Sequence, residues 1–121
     1  MCRVLAGVAA MMRIEQYWLA RDPIDMRAGM ETMLGKVVSV FGAAQAHHAY
    51  LFTNRRGNRI KVLITDGFGV WVAARRLHDG GFTWTQSTGS SRLEMTQSQF
   101  DALVLGLPWQ RVSKGEIVRY A

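Results

Sequence analysis

The chain has 121 residues, enough for one domain with a core of its own and too few for a second, and 49% of them are hydrophobic. Its net charge is +6, and of the 15 basic residues only Lys36, Lys61 and Lys114 are lysines. Arginine presents a flat, permanently charged fork that fits phosphate and carboxylate alike, so the composition points to an acidic partner such as nucleic acid. A single cysteine, Cys2, excludes an internal disulfide framework and any cysteine-based zinc finger, and it suits a reducing cytoplasm.

Residues 1–12 read as an N-terminal extension. The apolar run from Val4 to Met12 is too short to span a bilayer, and no small-residue cleavage site follows it before Arg13 to Glu15. Met11 or Met12 would serve equally well as the start, so the domain is expected over 13–112, with a loosely held tail at 113–121. Residues 14–20, with Tyr17 and Trp18, read as a strand that Arg21, Asp22 and Pro23 break. Asp25 is the expected N-cap of a helix whose apolar face is Met26, Met30, Met33, Leu34, Val37 and Phe41, stopped by Gly42. Its methionine stripe is core packing. His47 and His48 fall in a loop at 43–48 and are expected in solvent, because adjacent side chains diverge and no third metal ligand is near.

Tyr50 to Thr53 is strand-like, and Asn54-Arg55-Arg56-Gly57 fits a type I turn, with asparagine first and glycine last. Ile60, Val62 and Ile64 alternate with Arg59, Lys61 and Leu63 in the next strand; Asp66-Gly67-Phe68-Gly69 turns the chain again, and Val70 to Leu77 completes an antiparallel meander. Phe82 to Thr85 is expected as a short strand, Gln86 to Ser91 as a polar loop, and residues 92–95 as a last strand. Thr96 and Gln99 form a capping box for a second helix with Phe100, Leu103 and Val104 on one face, ended by Gly106 and Pro108. The expected fold is a single α+β domain, an antiparallel meander sheet of about four or five strands with two helices.

If residues 54–57 and 66–69 are the loops, position 52 faces 59, 50 faces 61, 61 faces 74 and 59 faces 76. One face then displays Tyr50, Phe52, Arg59, Lys61 and Arg76, beside Arg55 and Arg56 at the adjoining turn. Arg59 opposite Arg76 is repulsive unless an anion lies between them. The candidate nucleic-acid-binding residues are therefore Arg55, Arg56, Arg59, Lys61, Arg75 and Arg76, with Tyr50 and Phe52 as aromatic support. Rings packing on arginine and lysine stems across a solvated sheet would give the same pattern.

A transposase or nuclease needs two or three acids holding divalent metal around a scissile phosphate. The nine acids here include Asp25, Asp66 and Asp79, which cap or turn the chain, and Glu31 and Asp101, which fall in helices; no pair has a recognisable catalytic spacing. Gly67-Phe68-Gly69 lacks the third glycine of a dinucleotide loop, and no P-loop lysine follows a glycine-rich run. No catalytic residue, metal or cofactor is expected.

Asp25-Met26-Arg27-Ala28-Gly29, Leu51-Phe52 with Arg55-Arg56-Gly57, Ile60-Lys61-Val62-Leu63, Asp66-Gly67 with Gly69, and Arg75-Arg76-Leu77 followed by Gly81-Phe82 and Trp84 stand in an order and spacing that resembles the accessory "TnpB", or second-open-reading-frame, proteins of the insertion-sequence 66 family. The resemblance spans roughly residues 13–112. It departs from the pattern at Ile64-Thr65, where an aromatic often precedes the aspartate, and at Phe68, which replaces a usual polar residue. Asp25 and Arg27 match the first block, although a cap and an exposed helix arginine would account for them equally.

The resemblance implies a transposition role beside a separate, larger transposase that carries the catalytic acids. The expected partners are DNA at the element ends, the transposase and the element's other accessory protein, with no membrane, in a cytoplasmic, nucleoid-associated setting. Three readings stay open: a non-catalytic DNA-binding accessory, a protein-interaction module using the same arginines, and a metal-dependent nuclease or strand-transfer enzyme.

Overall fold

A computed structural model describes residues 14–82, 84 and 92–109; the extension at 1–12, the loop at 86–91 and the tail at 113–121 lie outside the described residues. Within them the chain forms β1 (Gln16–Ala20), α1 (Met30–Phe41), β2 (His48–Thr53), β3 (Arg59–Thr65), β4 (Val70–Arg76), β5 (Arg92–Met95) and α2 (Gln97–Val104). The strands make one sheet in the order β4-β3-β2-β1-β5. This is the α+β class expected, with β2, β3 and β4 as the meander.

The sheet is not wholly antiparallel. β1 pairs with β2 in parallel, Tyr17 opposite Ala49 and Leu19 opposite Leu51, while β5 closes the other side of β1 antiparallel. Parallel neighbours need a long crossover, and α1 with its flanking loops supplies it. β2 and β3 are then covered on both faces, which is why Ala49 to Thr53 and Val62 to Ile64 are buried without alternation. One face packs Tyr17, Leu19, Leu51, Ile60 and Val62 against Phe100 and Leu103 of α2, with Phe82 and Trp109. The other packs Tyr50, Phe52 and Leu63 against Met33 and Val37 of α1.

α1 begins later than its periodicity predicts. Its N-cap is Gly29, which offers no side-chain cap, so Asp25 and Met26 precede the helix and Met30 is exposed. The rest of the stripe packs as expected: the Phe41 ring lies 4.9 Å from Tyr50 and 6.4 Å from Phe52, centroid to centroid. Gly42 ends the helix at φ +88°, a conformation that favours glycine, and its N–H returns to the Val38 carbonyl. His48 is no loop residue in solvent; it opens β2, and its Nδ1 accepts the Trp18 indole N–H at 3.1 Å. Residues 82 and 84 belong to no strand.

The second helix starts as its sequence predicts. Thr96 Oγ1 accepts the Gln99 N–H at 3.1 Å, and Gln99 Oε1 accepts the Thr96 N–H at 2.8 Å. Thr96→Ala should cost about 1 kcal/mol. That corresponds to a fall of roughly 4–8 °C in the thermal melt of a domain this small, read by circular dichroism.

Candidate nucleic-acid interface

The site begins with the turn between β2 and β3. Asn54 to Gly57 form the expected type I turn, closed by the Gly57 N–H to the Asn54 carbonyl at 3.1 Å. Gly57 then takes φ +73°, Asn58 adds one more residue, and the Asn54 N–H reaches the Arg59 carbonyl. The Asn54 side chain binds the loop to itself: Oδ1 accepts the N–H groups of Asn58 and Arg59 at 3.1 Å, and Nδ2 donates to Asn58 Oδ1 at 2.7 Å. Behind it the Gly57 carbonyl accepts the Phe82 N–H at 2.6 Å, and the Asn58 carbonyl accepts the Leu77 N–H at 3.0 Å. Arg55 and Arg56 therefore stand in solvent on a loop anchored from both sides.

This longer loop moves the register. Phe52 lies opposite Lys61 and Tyr50 opposite Leu63, two residues away from the pairing predicted, whereas Lys61 opposite Ala74 and Arg59 opposite Arg76 are as predicted. A shift of two preserves faces, so Tyr50, Phe52, Arg59, Lys61 and Arg76 do share one side of the sheet.

That side is not open. α1 covers it, leaving Tyr50 and Phe52 each only 1% exposed, so neither is an aromatic platform for a ligand. The Tyr50 hydroxyl is engaged too, accepting the Gln45 N–H and donating to the Ala43 carbonyl. Lys61 is half-buried and its Nζ donates to the Ala28 carbonyl at 3.0 Å, which fastens the stretch before α1 to the sheet. Arg75 points to the opposite face, where its Nε and Nη1 are buried without a hydrogen-bond partner.

What reaches solvent is a narrower set: Arg55 and Arg56 on the turn, Arg59 at the start of β3 and Arg76 at the end of β4. All stand at the same end of the sheet. Among the described residues the ion pairs are Arg21 with Asp22 and Arg27 with Asp25, so none of these four guanidinium groups has a carboxylate partner. Arg59 directly opposes Arg76, a like-charge pair that favours an anion between them.

Two clefts flank the turn. One, of about 530 Å³, is walled by Arg55 and Arg56 together with Arg21, Phe82 and Trp84. The other, of about 520 Å³, lies between those arginines, Arg59 and the stretch from Pro23 to Met26. Trp84 is held there by its indole N–H on the Ala20 carbonyl at 2.8 Å. Sequence reasoning missed Arg21 and Trp84 as neighbours of this turn. The available signal was a strand, a helix and a second strand in succession, which makes β1 and β2 parallel and brings Arg21 to the end where Asn54 leaves β2.

The acids Asp25, near this end, and Asp66, in the β3–β4 turn at the opposite end of the sheet, build turns. The Asp25 carboxylate is gripped by Nε and Nη2 of Arg27 and also accepts the Arg27 N–H at 2.9 Å. These bonds, the guanidinium charge and the Lys61 ammonium hold its pKa down to about 2. The N–H groups of Phe68 and Gly69 and the Trp71 indole likewise hold Asp66 below the ordinary carboxylate range. Neither suits proton transfer near neutral pH. Among the described residues no three histidines, cysteines, aspartates or glutamates gather as metal ligands.

Gly57→Val should destabilise the fold by about 1–2 kcal/mol, because a β-branched side chain resists positive φ. The Arg55→Ala/Arg56→Ala double variant should stay within about 0.5 kcal/mol of the parent in denaturant melts. Asp25 should titrate near pH 2 by carboxyl NMR, returning toward the ordinary value in Arg27→Ala. A lowered folded pKa means the contact stabilises above the unfolded value of about 3.9 and fades as pH falls toward the folded one.

Comparison with known proteins bears on what this basic end serves. A family model described as IS66 Orf2 like protein matches residues 15–114. Two proteins of Sinorhizobium fredii (strain NBRC 101917 / NGR234) are similar. Uncharacterized protein y4hO is 28% identical over 94 residues, covering 77% of this chain and 81% of its own length. Uncharacterized protein y4jC is 28% identical over 102 residues, covering 84% and 86%. No solved structure matches. With the model aligned from β1 past the end of α2, the chain belongs to the IS66 Orf2-like family and has an accessory role in transposition of that type of element.

Proposed function

We propose that the protein acts without catalysis, by holding DNA phosphates at the end of the sheet where Arg55, Arg56, Arg59 and Arg76 emerge. The observation that carries this reading is four exposed guanidinium groups gathered at one end with no carboxylate partner among the described residues, two of them directly opposed. Each presents a planar fork of donors to phosphate oxygens, and the rigid β2–β3 loop sets the spacing of two of them in advance. The clefts beside the loop give a backbone room to pass, with Arg21 and Trp84 on one wall. The transposase would supply the chemistry, and this chain a fixed grip on the nucleic acid at the element ends.

Carboxylates on the transposase could occupy the same forks, and salt dependence separates the two. Four neutralised phosphates give a log–log slope of binding against salt near −3.6, at roughly 0.9 per phosphate on duplex DNA. The Arg55→Ala/Arg56→Ala variant should lower the magnitude of that slope by about 1.8 on the same basis while keeping its melt. Binding should need no divalent metal, and DNA incubated with magnesium should stay intact. Failure to bind duplex at low salt, with a retained transposase complex that the double variant loses, would assign the arginines to the protein partner instead.

A further inference from the structure

The opposite side of the sheet ends in β4, seven residues whose outer edge pairs with nothing among the described residues. Exposed edges are templates for another strand, and proteins commonly blunt them with proline, a bulge or inward charge. β4 contains no proline and pairs with β3 without interruption from Arg59 opposite Arg76 to Thr65 opposite Val70, so no bulge bends it away; its one inward charge, Arg75, stands near one end of the strand and leaves Val70 to Ala74 without such a device. The turn leading into it carries Phe68, 100% exposed, and β4 itself carries Trp71, 49% exposed. The turn backbone and the Trp71 indole are held in place. Asp66 Oδ1 accepts the N–H groups of Phe68 and Gly69 at 2.9 Å, and Oδ2 accepts the Trp71 indole N–H at 3.2 Å.

The two ends of this edge are chemically opposite. One has Asp66, Phe68 and Trp71; the other has Arg75, Arg76 and His78. Antiparallel contact between two identical strands brings unlike ends together, whereas parallel contact would set Arg75 and Arg76 beside their own copies. Centred on Ala73, antiparallel pairing uses all seven residues. It sets Trp71 across from Arg75 of a second copy, Val70 across from Arg76 and Val72 across from Ala74. Every pair then shares a face, no like charges meet, and each indole lies across from the partly buried Arg75 of the other copy.

We propose that β4 joins two copies of this chain edge to edge and antiparallel, about a two-fold axis through Ala73, into one continuous sheet. The contact is isologous, each copy giving the same strand and each Trp71 packing on the other copy. It does not depend on DNA binding.

Sedimentation velocity on the full chain should show a dimer that dissociates on dilution from near-millimolar to micromolar concentration. Trp71→Arg sets two guanidinium groups across from each other twice, by symmetry, and should weaken association by roughly tenfold or more with the melt retained. In a Cys2→Ser background, Ala73→Cys should cross-link on mild oxidation, because opposed Cα atoms in an antiparallel pair lie about 4.5–5.5 Å apart, within disulfide reach. Lys36→Cys, on the exposed side of α1, should not. A wild-type monomer at near-millimolar concentration overturns the proposal. So does a dimer that neither loses affinity in Trp71→Arg nor cross-links through Ala73→Cys. Either result leaves the arginine reading standing, since Arg55 and Arg56 are unaltered throughout.

Discussion

α1 closes one face of the β2–β3 pair and α2, with Phe82 and Trp109, closes the other, so the central strands have almost no side that meets water. Burial on both sides leaves a polar group two options: leave at a strand end, or reach out from beneath a helix. Arg59 takes the first, standing at the start of β3. Lys61 takes the second, laying its stem along the sheet and placing its ammonium on the Ala28 carbonyl at the margin of α1. The basic end is thus a consequence of how the core is closed, which sorts the cations by position along the strands.

The parallel pairing of β1 with β2 concentrates this effect. Both strands finish at the same end, so Arg21 and the stretch that follows emerge beside Asn54 and the arginine turn. The Ile24 N–H bonds the Thr53 carbonyl at 2.9 Å, and Trp84 is tied to Ala20, so segments distant in sequence brace one loop. Crevices beyond the carboxyl ends of parallel strands are recurrent binding places in sheets, and both clefts here lie at such an end. The carboxylates nearest to them are spent on internal pairs, which leaves the local field positive.

Much of this was legible in the sequence. The turn chemistry of Asn54 to Gly57 and Asp66 to Gly69 and the capping box at Thr96 are local signals, and the structure follows each; the alternation through Ile60, Val62 and Ile64 gives their shared face but not the burial of Leu63 on the other. The parity of the basic face was legible as well, because the two-residue register difference left every side chain on its side. What local patterns do not carry is which helix covers which face. Tyr50 and Phe52 share one face of a strand whose run from Ala49 to Phe52 is apolar throughout, and they lie under α1 because that helix crosses back to place β1 beside β2. For the same reason the partners of Lys61 and the placement of Trp84 were hidden: each depends on contacts made across long stretches of chain. Asp25 is instructive in another way. Its N-cap chemistry is real, but it is applied to the turn at Arg27 and Ala28, one step before the helix.

The pairing of β1 with β5 bears on synthesis. Tyr17 faces Met95 and Leu19 faces Leu93, partners separated by most of the chain, and α2 follows directly after. As the polypeptide leaves the ribosome, β1 can join β2 once the crossover has emerged, but its second edge and the apolar face later shielded by Phe100 and Leu103 wait for nearly the last described residues. Contacts of such long sequence separation form slowly, because loop closure must precede their reward. A nascent chain halted before Arg92 would present an unpaired β1 edge beside the uncovered face of Leu19, Leu51 and Val62, a sticky intermediate that chaperones would be expected to engage.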